Sequence, residues 1–382
     1  MPNNISHFRN CYGCGVCAII CPKKIIDLKE NKNGFYEPYI KDPESCNDCG
    51  LCLSVCSFND KEVSTIGNSE KFYAGWSLSE DVRKKCSSGG VAFELAAQLF
   101  KEGWMVCGVK YNNEKQRAEH FVARSEEEYL SSRGSKYLQS YTLPGFLDID
   151  KNDRYMVTGT PCQIDSFRRY IRKVKKEDNF ILMDFFCHGV PSRNLWKSYL
   201  KTFSLDDKIK PDSAVCWRNK KEGWHRSSAI SVGDKSGGLI YHSSFFNGDL
   251  FYKFFLSDLC LNRSCYSDCK FKLCSSAADI RIGDLWGKQY KHDESGVNGI
   301  ITLTEKGENL IKICNLQLIG EKDLVVMEVQ MKKSPIMPWI YNLVQKKLST
   351  YTDLRKLEKL LVLYRYSILP RRIVRKIKRS LK

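Results

Sequence analysis

The sequence predicts a small α+β domain at residues 1–65, an α/β core over about 71–320 and a helical, basic tail at 321–382. Three observations carry this division. Two runs of closely spaced cysteines end before residue 57, short apolar stretches alternate with amphipathic ones through the middle, and Lys and Arg accumulate beyond residue 350. The 382 residues allow two or three domains at roughly 150 residues each. An apolar content of 42% excludes a disordered chain, and no apolar stretch approaches the roughly 18 residues of a membrane span. Residues 1–10 are polar and lack the apolar centre of a secretory signal, so a cytoplasmic location is expected. In that reducing compartment, 18 cysteines point to metal ligation or redox chemistry rather than to disulfides.

Cys11, Cys14, Cys17 and Cys21, followed by Pro22, read C-x2-C-x2-C-x3-C-P. Cys46, Cys49, Cys52 and Cys56 repeat the spacing, with Ser57 in place of the proline. This is the two-cluster ferredoxin pattern, in which the fourth cysteine of each run ligates the other cubane. The expectation is therefore a ferredoxin-like domain holding two [4Fe-4S] clusters. One uses Cys11, Cys14, Cys17 and Cys56, the other Cys46, Cys49, Cys52 and Cys21. Gly13, Gly15 and Gly50 suit a tight backbone that turns N–H groups towards sulfur. Zinc also takes C-x2-C pairs, but in separated pairs, whereas each run here packs four ligands into eleven residues. Such a module carries electrons and names no reaction.

Residues 57–70 are polar and read as a linker. The region 71–150 then offers a helix at Val91–Lys101 and a strand at Met105–Lys110. Over 151–320, a strand at Tyr155–Val157 feeds a Gly-Thr-Pro turn and a helix at about Gln163–Lys176. The apolar run Phe180–Phe186 reads as a strand buried on both faces, followed by a helix at Ser192–Phe203. Further strands are expected at 214–217, 229–232, 279–283 and 300–303, and helices at 247–259, 305–315 and 335–348. Strand, turn and helix in alternation argue for an α/β core.

Several turn-rich strings fall between these elements. Cys86-Ser87-Ser88-Gly89-Gly90 directly precedes the helix at Val91, where free N–H groups form an anion site suited to a phosphate. Taken alone, that string is explained more simply by a plain serine N-cap. Gly159-Thr160-Pro161-Cys162-Gln163 and Cys187-His188-Gly189-Val190-Pro191-Ser192 both follow strands, and strand ends of this kind converge on one crevice.

Taken in order, CSSGG, GSKY, GTPCQ, CHGVPS, SCYSDCKFK and ADIRIGDLWG resemble the coenzyme F-420 hydrogenase/dehydrogenase beta-subunit family, its bacterial branch above all, over about residues 72–310. The resemblance implies an α/β flavoprotein core and an iron–sulfur oxidoreductase. Electrons would pass from a reduced, acidic ferredoxin-type donor through the clusters to FAD, in preference to FMN. They would then reach an organic substrate, small or lipid-linked, such as a cell-surface polysaccharide precursor. It places Ser87, Ser88, Gly89, Gly90, Lys136 and Thr160 at the flavin. It also implies a third [4Fe-4S] cluster on Cys162, Cys187, Cys265 and Cys269, with Cys260 and Cys274 as substitutes because the last pair is spaced by three residues. For Cys107, Cys216 and Cys314 a plain core role suffices. His188 and Asp284 are candidates for proton transfer or substrate binding, though a structural loop role explains His188 more simply. Trp217-Arg218-Asn219-Lys220 and Gly223-Trp224-His225 resemble a further family segment, offering cations to an anionic substrate or forming a solvated hairpin. The competing classes are an electron-transfer subunit without its own substrate site and a nucleic-acid-binding iron–sulfur protein.

The charge has its own location. Residues 351–382 hold 11 Lys and Arg against 2 acidic residues, a net +9 out of +17. Ile373, Ile377 and Leu381 recur every fourth residue among the basic ones. That pattern suits peripheral contact with the anionic inner face of a membrane, or a solvated terminal helix. No nucleic-acid recognition motif accompanies the charge.

Overall fold

Burial of both faces makes the apolar run beginning at Phe180 the natural centre of the molecule, and the computed structural model puts it there. It describes residues 2–65, 70–266, 269–322 and 329–380. Residues 66–69 of the expected linker, 267–268 of the SCYSDCKFK string, and the side chains from 370 onward, with Ile373, Ile377 and Leu381, lie outside the described residues.

In the N-terminal unit, the hairpin β1 (Ile26–Glu30) and β2 (Tyr36–Ile40) pairs antiparallel, Ile26 opposite Ile40. Two short helices, α1 (Val16–Ile20) and α2 (Leu51–Ser54), start at Gly15 and Gly50. Both glycines are left-handed, at φ 76° and 73°, a conformation that lets the chain reverse directly after Cys14 and Cys49.

From Lys71 the chain runs β3 (Lys71–Ser77), α3 (Val91–Lys101), β4 (Met105–Asn112), β5 (Arg117–Ala123), β6 (Tyr155–Thr158), α4 (Pro161–Lys173), β7 (Phe180–Phe185) and α5 (Arg193–Thr202). It continues through β8 (Ala214–Arg218), β9 (Ser228–Gly233), β10 (Leu239–Ser244), α6 (Leu250–Phe255), β11 (Ile280–Asp284), β12 (Asn298–Thr302), α7 (Glu305–Ile313) and β13 (Leu316–Gly320). Then come α8 (Tyr341–Leu348) and α9 (Leu354–Ser380).

Among the described residues, eight strands form one mixed sheet in the order β13-β3-β12-β11-β7-β6-β4-β5. The middle four, β11-β7-β6-β4, are parallel, and antiparallel strands complete both edges. Side chains of β7 alternate between two cores. Phe180 and Leu182 meet Phe167 of α4 together with Val16 and Val55 of the N-terminal unit. Ile181 and Met183 meet Val91 and Leu95 of α3 and Leu310 of α7. A separate three-stranded sheet, β10-β9-β8, shares an aromatic core with α5, α6, α8 and α9 around Trp196, Trp217 and Phe251.

Several expectations shift. The core is a mixed sheet rather than a purely alternating one, because β3, β5 and β13 were unforeseen antiparallel neighbours. The described part of the linker, 57–65, is strapped down: the buried Ser57 hydroxyl bonds Asp165, Arg169 reaches Asp60 at 2.6 Å, and Lys270 binds the carbonyls of Ser57, Asp60 and Glu62. It is polar because its partners are charged. The helix expected at 335–348 begins only at Tyr341, since Pro335 and Pro338 disfavour a helix before them. The helix expected at 247–259 is confined to α6, whose cap is Asp249.

Two ion pairs stitch the sheet from within. Arg281 of β11 meets Asp184 of β7 through two bonds of 2.7 Å, and Arg168 of α4 meets Asp279 at 2.9 Å. Removing one partner leaves a buried charge unpaired. Asp184→Ala should therefore lower the free energy of unfolding by about 3–5 kcal/mol, read from urea denaturation, whereas Asp184→Leu combined with Arg281→Met should cost much less.

Candidate functional site

Glycine-initiated α1 and α2 carry Cys17 and Cys52 into the interior of the N-terminal unit, while Cys49 stays exposed. Cys56 of the second run sits among the cysteines of the first. Burial pushes the Cys17 thiol well up, and Cys14, Cys11 and Cys56 push it further. Burial likewise takes Cys56 up to about 12, with Cys14 adding to it. Backbone N–H groups turn to these sulfurs: Gly13 donates to Cys11 Sγ at 3.4 Å, and Asn59 and Phe58 donate to Cys56. Thiols that raise one another in a dry space are poorly placed to ionise alone, and a cationic iron core would reverse each of those effects. Among the described residues no three Cys, His, Asp or Glu side chains converge on a single ion.

Cys162 and Cys187 follow β6 and β7, whose parallel pairing brings the two strand ends side by side. With Cys265 and Cys269 they form one electrostatic neighbourhood. Burial pushes Cys162 well up and the other three add to it, Cys187 rises to about 11, and Cys265 to about 12. Val190 N–H donates to Cys265 Sγ at 3.4 Å, and Thr160 Oγ1 lies 3.2 Å from Cys162 Sγ. Of the suggested substitutes, Cys260 is buried in the aromatic core with Asp258 as its charged neighbour, and Cys274 lies beside Arg281. Cys107 is buried and Cys314 part-buried, but Cys216 is exposed on β8 rather than in the core.

The inner cysteines adjoin the N-terminal unit. Asn262 donates to the Cys11 carbonyl at 3.0 Å, while its own carbonyl accepts from Cys265 N–H at 2.9 Å. Tyr12 lies between the two sets, edge-on to Phe58 and Phe271, with Cys162, Cys269 and Cys265 all acting on its hydroxyl after burial. Nothing in the sequence pattern marked Asn262 or Tyr12.

At the same strand ends lies a pocket of about 480 Å³. Ser87, Ser88, Gly90, Lys136, Thr160, His188 and Asp284 line it, together with Cys187. Gly89 sits under the turn, where a Cβ would come within 2.6 Å of the Gly75 carbonyl. The carbonyls of the turn are pinned on its other side: Ser87 O by Arg218 at 3.1 Å, Ser88 O by Lys220 at 2.6 Å, and Gly89 O by Ser77 N–H at 2.7 Å. Among the described residues, the N–H groups of 87–90 donate to no protein acceptor. Gly90 caps α3 in the left-handed region, at φ 88°, without a side-chain cap. The turn thus offers a row of unspent donors at a helix N-terminus, the arrangement that binds a phosphate.

The cations themselves are occupied. Lys220 binds three carbonyls, and burial pulls it down only to about 8. Lys136 gives its three hydrogens to the carbonyls of Ser131, Ser132 and Arg133, which favour a charge that burial disfavours. Asp284 is held at 2.6 Å by buried Arg218 and at 3.1 Å by Trp224. The 217–225 segment is therefore an internal brace rather than a solvated hairpin. His188 has Nε2 2.8 Å from Asp258 Oδ1 and its ring edge-on to Phe255.

Residues 10–59 match the family model of the 4Fe-4S dicluster domain. Residues 72–146 and 152–323 match those of the N-terminus and the C terminus of the coenzyme F420 hydrogenase/dehydrogenase beta subunit. An uncharacterized protein of Methanocaldococcus jannaschii is 26% identical over 205 residues, 46% of this chain and 55% of that protein, so the chain spans about half of it. An uncharacterized ferredoxin of the same organism is 39% identical over 61 residues, 16% of this chain and 77% of its own length. A DNA-directed RNA polymerase subunit of Methanosarcina acetivorans is 40% identical over 63 residues, 16% of this chain and 23% of that subunit. A chain of the F420-reducing [NiFe] hydrogenase complex from Methanosarcina barkeri aligns over 78% of this chain and 93% of its own, at 18% identity and a TM-score of 0.44.

A third cubane on the inner quartet predicts about twelve iron atoms per chain, four per cubane, in protein prepared without oxygen. Cys162→Ser should lower that count by about four, and Cys260→Ser should leave it unchanged.

Proposed function

The chain belongs to the coenzyme F420 hydrogenase/dehydrogenase beta-subunit family, and on that premise we propose that it is an iron–sulfur flavoprotein oxidoreductase with its own substrate pocket. The observation that supports this is a shared wall: one pocket is lined both by Ser87, Ser88 and Gly90, whose N–H groups donate to no protein acceptor among the described residues, and by Cys187. In this reading Ser87, Ser88, Gly89 and Gly90 hold the phosphate of a flavin, FAD by preference, and Thr160 closes the side nearest Cys162. Flavin bound there supplies the conversion between single electrons and the two-electron step that an organic substrate requires.

The cysteines set the order of electron flow. Exposed Cys49 makes the second run the port for a partner, and the net +8 that remains outside residues 351–382 (+17 less +9) suits an acidic ferredoxin-type donor. The buried first run adjoins Cys265 through Asn262, and Cys187 adjoins the pocket. Arg218 and Lys220 orient the turn instead of meeting the substrate, and Asp284 anchors Arg218. His188, beside Asp258 on the pocket wall, is the group that would pass a proton to or from the substrate.

The test is the flavin content of anaerobically purified protein. One flavin per chain is expected, and Gly90→Val should lower it several-fold while iron stays constant, because a branched side chain is strained at φ 88°. Flavin-free protein with a full complement of iron would overturn the reading in favour of an electron-transfer subunit.

A further inference from the structure

The inner face of α9, at Leu354, Leu357 and Leu361, is buried in the aromatic core with α5, α6 and α8. Its outer face has no such cover. Leu363 is 54% exposed and Tyr366 69%, with Val362 and Leu369 also exposed. The segment leading into α8 adds Ile336 at 69% and Trp339 at 64%. Trp339 Nε1 donates to Ser367 Oγ at 3.0 Å, which joins the two sets into one patch. Single exposed apolar side chains are ordinary, but a contiguous group marks a contact surface.

The charge around the patch selects its occupant. Residues 331–369 hold 8 Lys and Arg against Asp353 and Glu358. Both acids are already engaged, Asp353 by Arg355 at 2.7 Å and Glu358 by Lys253 at 2.6 Å. A further 7 basic residues and no acidic ones follow in 371–382. A second copy would bring the same positive field against it and be repelled. Nucleic acid matches the charge but makes no use of an aliphatic face of Val362, Leu363 and Leu369. An anionic bilayer surface uses both, with basic residues at the headgroups, aliphatic ones at the acyl boundary, and Trp and Tyr between. Among the described residues no helix is long and apolar enough to cross a membrane, so the geometry is that of a helix lying on one.

We propose that the outer face of the α8–α9 hairpin, centred on Trp339, Leu363 and Tyr366, docks the protein onto an anionic lipid surface. The inference is independent of the flavin reading, because no residue of the pocket takes part. The hairpin is nonetheless braced on α6, whose Tyr252 and Phe255 line the pocket, by the bond between Lys253 and Glu358.

Flotation of the full chain tests the proposal, with vesicles of phosphatidylcholine alone and of phosphatidylcholine mixed with phosphatidylglycerol. Binding to the mixed vesicles at low salt, lost in the neutral ones and weakened by added salt, is expected. Trp339→Ser combined with Tyr366→Ser should weaken it by about tenfold or more, since each aromatic ring withdraws apolar area from water. Leu363→Ser with Leu369→Ser, two further exposed positions, should act in the same direction, and unchanged iron content would report intact folding in both variants. Equal binding to neutral vesicles, no binding to either, or unaltered binding of both variants would overturn the proposal. So would a concentration-dependent dimer that the same substitutions abolish.

Discussion

Parallel pairing of β6 with β7, Thr158 opposite Met183, is the constraint on which the rest of the molecule hangs. Two adjacent parallel strands must release their chains at the same edge of the sheet. Cys162 and Cys187 leave there, and so do Thr160 and His188. Every other component of the site is brought to that edge: the turn at 87–90 by α3, the Asp284 carboxylate by the end of β11, and Cys265 by the loop beyond α6. Breaking that pairing would separate the inner cysteines from one another and from the pocket together. The buried pair of Asp184 and Arg281 sits between β7 and β11 for the same purpose, tying the next parallel strand into register.

The N-terminal unit is held on this edge largely by polar bonds to backbone. Gln139 takes the Tyr12 carbonyl and Tyr36 N–H, Thr142 takes the Cys14 carbonyl, and Asn262 takes the Cys11 carbonyl. Bonds to carbonyls within a cysteine run fix its backbone, and therefore where its sulfurs point. Apolar contact alone, through Val16 and Val55 on the sheet, would tolerate sliding. Since electron transfer weakens steeply with distance, a directional attachment of this kind suits a relay better than a greasy one.

Buried cations serve a similar end in the pocket. Lys220 and Lys136 are spent on carbonyl oxygens, and Arg218 on Asp284, Ser227 and the Ser87 carbonyl, so their charge shapes the pocket wall instead of meeting a ligand directly. Arg218 and Lys220 hold the carbonyls of Ser87 and Ser88, so the N–H groups of the turn are not drawn onto those oxygens. Charge-assisted bonds of this sort are strong and directional, and they hold open a turn that would otherwise satisfy its own donors.

Local rules made much of this protein legible in advance. Cysteine spacing alone marked the dicluster unit, now matched by a family model over residues 10–59, because three ligands of each cubane follow one another at two-residue gaps. Unbroken apolar character marked β7, and helix signals marked α3 and α5 almost to the residue. Where partners are distant in sequence, such rules had nothing to act on. The edge strands β5 and β13 carry weak patterns and exist because a neighbouring strand offers its hydrogen bonds. The strap at 57–65 looked like solvated linker because polar residues read alike whether their partners are water or Arg169 and Lys270. Tyr12 and Asn262 acquire meaning only through residues some 250 positions away, as in the bond from Asn262 to Cys11. Chemistry confined to one stretch of chain was determined by the sequence itself. Which stretches meet, and whether a cation faces a ligand or a carbonyl, was decided only by tertiary packing, because those outcomes depend on distances that no local pattern encodes.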